Sequence, residues 1–273
     1  MSALDLAARL RAICAAVGFD LDRVNVRVLD RMTLLAARTQ TVADLERMAA
    51  AALEVFRYYE SAKPSEAFTE AERRIIVLGC LFSDIGKTGP ARASSDEQQL
   101  IVDMFSIESV PDETQPVTRF LRTYFPEDAE ERIARFESLG LDPEMPIRQF
   151  WNLHSAWTLE LVEASGVPPE AVAAAASHHL LDDVNPETIV GADRRYTRWF
   201  GENMGFDRSE KLVVILDKYD ALRRRGHLTH PQAIAWLRER IKKNPLFRGD
   251  SELETLIEDL DAVARSGVFG SLD

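Results

Sequence analysis

Hydrophobic residues recur at helical spacing along most of the chain, and no segment alternates apolar and polar residues with a period of two. This pattern predicts an all-α protein, with helix ends marked by capping residues, glycines and prolines. The predicted helices cover residues 1–18, 21–37, 41–59, 69–84, 96–105, 117–125, 127–139, 147–164, 168–179, 208–225, 229–241 and 251–265.

Several predicted helices begin at residues whose side chains can cap free backbone N–H groups. Thr69 precedes a strongly apolar helix, and Thr229 is followed three residues later by Gln232. Thr41 and Asp44 have the same spacing, so we expect a capping box there as well.

The composition changes between residues 91 and 146, where acidic residues and five prolines accumulate. We interpret this stretch as a helical insertion, which is either a solvated helical excursion without a role or a lid or docking surface for a protein partner. The predicted organisation is an N-terminal helical region at 1–68, a core domain at 69–245 that contains the insertion, and a C-terminal helix at 246–273.

Composition limits the classes of protein to consider. The 273 residues are 46% apolar with a formal net charge of -12, which argues against an extended nucleic-acid partner. No apolar run has the length of a membrane span, and the first residues lack the basic start of a signal peptide. Cys14 and Cys80 lie in apolar surroundings, which favours free thiols in a reducing cytoplasm. The sequence does not decide the oligomeric state, and a homodimer is one of the alternatives.

Asp84 and Lys87 follow the apolar run at residues 75–80, where charges are costly without a partner, a metal or a shifted pKa. The pair is therefore a candidate functional site, although a helix end in water would explain it too. Lys87 could contact a substrate phosphate or neutralise a nearby carboxylate. We favour phosphate, expecting Gly86 and Gly89 to give exposed, flexible backbone beside it.

Three of the five histidines, His154, His178 and His179, lie next to core-like helices. Together with Asp84 and Asp217 they form a set of imidazoles and carboxylates that suits Mn, Fe, Ni or Zn. Each histidine taken alone could instead be a satisfied core residue. A closed zinc site with thiolate ligands is not supported.

Four short motifs occur in the order found in the HD phosphohydrolase superfamily. Residues 84–87 read Asp-Ile-Gly-Lys with a proline at 90, His154 and the pair at 178–179 follow, and 217–222 reads Asp-Lys-Tyr-Asp-Ala-Leu. The chain therefore resembles the HD-GYP branch over about residues 75–240. The resemblance implies an HD-type helical bundle, metal ligands at Asp84, His154, His178, His179 and Asp217, and a phosphate contact by Lys87.

The chain also departs from the HD-GYP pattern. Ser83 stands where the family has a metal-binding histidine, and no histidine precedes His154. Residues 180–186 read Leu-Leu-Asp-Asp-Val-Asn-Pro, in place of a glutamate and the Gly-Tyr-Pro signature. The remaining ligands could hold one metal per chain, but not the family's full centre of two or three metals.

Arg225 ends the basic cluster at 223–225, which is either a solvated helix end or a contact for substrate phosphate. With Asp84 and Lys87 as candidate catalytic residues, we assign Lys87 and Arg225 to substrate binding. The leading hypothesis is a metal-binding, phosphohydrolase-like signalling domain with an incomplete ligand set and impaired catalysis. The alternatives are an active phosphohydrolase or phosphodiesterase on a nucleotide or cyclic dinucleotide, and a metal-free helical adaptor in bacterial signalling.

Overall fold

A computed structural model describes residues 3–163, 165–182, 208–244 and 247–265. It confirms the all-α class: the structure is 74% helical, with twelve α-helices and no strand in these ranges. Residues 183–207, the first two residues of the helix predicted at 1–18 and the chain after 265 lie outside the described residues.

The helices, in chain order, are α1 (Ala3–Ala15), α2 (Val26–Arg38), α3 (Thr41–Ala62), α4 (Glu70–Phe82), α5 (Ser95–Phe105), α6 (Val117–Tyr124), α7 (Ala129–Ser138), α8 (Ile147–Glu163), α9 (Pro169–Ala176), α10 (Arg208–Arg224), α11 (His230–Lys243) and α12 (Ser251–Arg265). Short 3₁₀ turns occupy Leu21–Arg23, Pro64–Glu66, Ile85–Thr88 and Leu180–Asp182. The second predicted helix is thus a 3₁₀ turn followed by a helix whose N-cap is Asn25.

Two of the three predicted capping residues are confirmed. The side chain of Glu72 accepts a hydrogen bond from the backbone N–H of Thr69 (2.7 Å), and Gln232 accepts one from that of Thr229 (2.8 Å). The capping box at Thr41 is wrong. The cap position there is Gln40, without a side-chain bond, because the carboxylate of Asp44 pairs with arginines on its own and another helix.

Helix α4 is the centre of the fold, and its second half is buried on all sides against α3, α9 and α10. Gly79 allows this close packing. A Cβ atom at Gly79 would lie 2.9 Å from Ala174 Cβ on α9 and 3.0 Å from Val213 Cγ2 on α10. The alanine-rich face of α9 therefore packs closely against the helix that ends at the candidate site.

The apolar side chains form two clusters, and α8 contributes to both. The main core joins α1–α4 with α9–α12 and includes Leu161 and Val162 from the end of α8. The second cluster lies under the insertion, where residues of α5–α7 pack on Phe150 and Trp157 of α8. The boundaries proposed above for an N-terminal region, a core and a C-terminal helix stay predictions.

Among the described helices, none has both the length and the apolar character that a membrane span requires.

We expect Gly79→Ala to destabilise the protein, because the added methyl group overpacks the junction of three helices. Overpacking of this kind typically costs about 1 to 3 kcal/mol. Thermal unfolding followed by circular dichroism measures the change. Ala50→Gly, at an exposed position of α3, is a control for a glycine–alanine exchange without core packing. A Gly79→Ala variant as stable as the wild type would contradict this account of the packing.

Candidate metal centre

The Asp84 carboxylate is placed by the abrupt end of α4. The helix stops at Phe82, and Asp84 begins the 3₁₀ turn Ile85–Thr88, which packs against α8. His154 projects from the middle of α8, and His178 and His179 follow the last turn of α9. Three chain segments distant in sequence thus meet at one buried point.

The side chains of Asp84, His154, His178 and His179 converge, with one ligand atom of each within 4.8 Å of every other. Asp84 Oδ1 lies 3.1 Å from His154 Nε2 and 3.5 Å from His178 Nε2. His154 Nε2 in turn lies 3.2 Å from His178 Nε2 and 3.0 Å from His179 Nε2. Four of the five predicted ligands are therefore together.

The outer hydrogen bonds of the cluster fix its chemistry. Nδ1 of His154 contacts the carbonyl of Trp151, and Nδ1 of His178 lies 2.6 Å from the carbonyl of Ala175. A carbonyl only accepts, so each Nδ1 carries a proton, and in the neutral form of each ring the Nε2 lone pair points into the cluster. Lone pairs 3.2 Å apart repel each other unless a cation lies between them. The Oδ1 atom of Asp84 is likewise buried without a hydrogen bond. This donor set fits a metal cation.

The electrostatics of the cluster keep the Asp84 carboxylate ionised. Burial acts to raise the pKa of Asp84, but Lys87 and the imidazoles of His154 and His178 outweigh it and hold that pKa well below its usual range. Burial lowers the pKa of His154. It acts in the same direction on His178, but Asp84 and Asp217 raise the pKa of His178 overall. The cluster therefore contains an ionised carboxylate, which is the form that can bind a metal cation.

Asp217, on α10, lies beside the four converging residues. Its Oδ2 is 4.0 Å from Nδ1 of His179, on the far side of that ring from His154. At 4.0 Å this contact is longer than a hydrogen bond, so it places a negative charge beside His179 without fixing the orientation of the ring. Direct coordination of a metal by Asp217 stays a prediction. Asp220, one turn later, faces elsewhere and pairs with Arg47 at 3.1 Å.

Lys87 forms an ion pair with Asp84 of the cluster. The prediction of exposed, flexible backbone beside this lysine is wrong. Its Nζ lies 2.7 Å from Asp84 Oδ2, and its side chain is only 12% exposed. Gly86 and Gly89 are both buried. A Cβ atom at Gly86 would lie 1.9 Å from the backbone oxygen of His154, so this glycine serves close packing on α8 and not access for a ligand.

A cleft of about 350 Å³ opens over the candidate metal ligands, and its lining residues include Lys87, His154, His179, Asp217 and Arg225. The guanidinium of Arg225 makes no hydrogen bond or ion pair with any residue in the described ranges. Desolvation acts to lower the pKa of Arg225, but Asp217 and Asp84 raise it overall. The two predicted substrate-binding cations therefore line the same cleft as the ligands.

The insertion forms one wall of this cleft through Phe105, Ile107, Glu108 and Glu113. The ring of Phe105 meets that of His154 nearly edge-on, with centroids 5.5 Å apart. The insertion thus contacts a candidate ligand directly, while its role as a lid or docking surface stays a prediction.

Ser83, which precedes Asp84, is fully buried and donates its hydroxyl hydrogen bond to the carbonyl of Cys80 at 3.1 Å. Two further buried residues lie near the site and were not predicted from the sequence. They are Arg31 on α2 and Thr158 on α8. Both hold the backbone of the segment 83–91. The only signal in the sequence is an arginine within the apolar face of α2.

Comparisons of the chain with protein-family models, with curated proteins and with solved structures gave no match.

We expect Lys87→Met to destabilise the metal-free protein, because it leaves a buried carboxylate without its ammonium partner. Breaking a buried ion pair costs about 3 kcal/mol or more, which corresponds to a drop in Tm of roughly 5 to 10 °C. The deficit should shrink with added Zn²⁺, whose charge replaces that of the lysine. Scanning calorimetry with and without metal measures both effects.

Lys242→Met, at an exposed position of α11, is the control for loss of a surface charge. An unchanged Tm of metal-free Lys87→Met would contradict the stabilising role of the ion pair.

Proposed function

We propose that the protein binds one divalent transition metal through Asp84, His154, His178 and His179 and recognises a phosphate-containing small molecule in the adjoining cleft. It would then be an HD-type, phosphohydrolase-like signalling domain with slow catalysis. The observation that carries the proposal is that a carboxylate oxygen and three imidazole nitrogens converge on one buried point. The Asp84 Oδ1 atom there has no hydrogen-bond partner.

The ligand types support a transition metal over a hard cation. Three imidazoles and one carboxylate suit Zn, Fe, Ni or Mn, whereas Ca²⁺ and Mg²⁺ prefer oxygen ligands. When bound, such a metal supplies Lewis acidity, polarising a phosphate oxygen and lowering the pKa of water. The order of the four motifs in the sequence, shared with the HD-GYP branch, supports the same assignment.

The residues around the cluster are suited to an anionic ligand. The ammonium of Lys87 uses one of its three N–H donors on Asp84, so the others remain for a phosphate oxygen. Arg225 adds a guanidinium on the same cleft, with donors in a geometry that matches phosphate. These two cations would orient the ligand's phosphate over the four metal ligands.

Slow catalysis follows from the ligands that the chain lacks. The described residues contain one group with metal-ligand geometry, and Ser83 offers a hydroxyl already donated to a backbone carbonyl. The family's second metal clamps both the attacking and the leaving oxygen. A centre with a single group of ligands lacks that clamp, so hydrolysis would be slow. For this reason we propose a signalling role and not rapid turnover.

We expect the purified protein to bind about one equivalent of Zn²⁺ or Mn²⁺ per chain, measured by elemental analysis after reconstitution. His178→Ala should lose most of this metal, because the removed ligand lies in the buried centre of the cluster. His227→Ala, at an exposed position outside the cluster, should retain it. A wild-type protein that stays metal-free with Mn, Fe, Ni and Zn would refute the proposal.

We expect Arg225→Gln to weaken binding of inorganic phosphate to the metal-loaded protein by about 10-fold or more, the typical effect of a lost charged hydrogen bond. Its metal content should not change, since Arg225 is not a ligand. Isothermal titration calorimetry measures the phosphate affinity, and Lys242→Gln is the control for surface charge. Equal phosphate affinity in Arg225→Gln and the wild type would remove Arg225 from the site.

A further inference from the structure

The backbone around Asp84 is held by Thr158 of α8, which is fully buried. Its Oγ1 donates a hydrogen bond to the carbonyl of Ser83 (2.7 Å) and accepts one from the backbone N–H of Gly86 (3.0 Å). These two backbone groups stand on either side of Asp84. One hydroxyl therefore fixes the backbone both before and after Asp84.

Thr158 also shares its helix face with a ligand, because it lies four residues after His154 on α8. The turn at Gly86 is pressed against the same part of α8, where a Cβ atom would lie 1.9 Å from the oxygen of His154 and 2.6 Å from the backbone nitrogen of Thr158. The position of Asp84 relative to His154 is thus set through one helix turn and two hydrogen bonds.

Arg31 of α2 fixes the continuation of the same segment. Its guanidinium donates to the carbonyls of Thr88 (3.1 Å), Gly89 (2.9 Å), Pro90 (2.8 Å) and Ala91 (3.2 Å), and to Thr88 Oγ1 (3.0 Å). Burial lowers the pKa of Arg31 to about 10, so it stays charged at neutral pH. The backbone that follows Lys87 is therefore anchored at four consecutive carbonyls.

We propose that Thr158 is a positioning residue that presets the Asp84 carboxylate against His154 before metal binds, with Arg31 anchoring the far end of the segment. The inference rests on the proposed metal site. A ligand held in its bound position spares the metal the cost of ordering it. Groups that orient metal ligands typically contribute 10- to 100-fold to metal affinity.

The test compares Thr158→Val with Thr158→Ser, since valine keeps the shape without the hydroxyl and serine keeps the hydroxyl. We expect Thr158→Val to weaken Co²⁺ binding about 10- to 100-fold and to alter the visible spectrum of bound Co²⁺. Thr158→Ser should retain the wild-type affinity and spectrum. Measurements well below the Tm of each variant separate positioning from loss of stability.

A second readout needs no metal. Hydrogen exchange of the Gly86 amide in the metal-free protein should accelerate in Thr158→Val but not in Thr158→Ser, because this amide donates to the threonine hydroxyl. Wild-type Co²⁺ affinity and spectrum in Thr158→Val would overturn the inference. If the wild type bound no Co²⁺, the proposed function would fail, and unchanged Gly86 exchange in Thr158→Val would then overturn the inference by itself.

Should Thr158→Val not fold, Arg31→Lys tests the same preset geometry from the other end. Lysine keeps the charge but cannot reach five acceptors, so Co²⁺ affinity should fall several-fold with a changed spectrum. Wild-type binding by Arg31→Lys would then overturn the inference.

Discussion

The buried Asp84 carboxylate is the constraint around which this protein is built. An ionised carboxylate inside a helical core is costly unless cations and hydrogen-bond donors surround it. Lys87 supplies one charge at 2.7 Å, and the rings of His154 and His178 approach the other oxygen. That second oxygen has no hydrogen bond and lies at the point where the four residues could hold a metal ion.

Helix α8 connects this centre to the rest of the molecule. It supplies His154 to the cluster, Thr158 to the turn that carries Asp84, and Phe150 and Trp157 to the core of the insertion. Phe105 of the insertion also touches the ring of His154. The insertion is therefore connected to a candidate ligand both through α8 and by direct contact.

Local charge in the cleft differs from the charge of the whole chain. The protein carries a formal net charge of -12, yet Lys87 and Arg225 line the cleft over the cluster. Arg224, beside them, is held by Asp44 and by Asp220 on its own helix. The cleft thus contains both fixed ion pairs, which shape its wall, and cations suited to an anionic ligand.

The sequence by itself determined the features that depend on residues close together along the chain. The caps at Thr69 and Thr229 and the bounds of α12 follow from contacts within one or two helix turns, so they could be predicted. The four converging residues were also identified from the sequence, by the cost of placing charges near apolar runs and by the order of the motifs.

Only the tertiary structure decided how these residues meet. Asp217 stands behind His179, Gly86 is packed on α8, and Asp44 pairs with Arg224 across 180 positions of the chain. Arg31 and Thr158 reach the segment around Asp84 from 57 and 75 residues away. Such contacts depend on how the helices pack against one another, and the periodicity of a single helix carries no information about its partners.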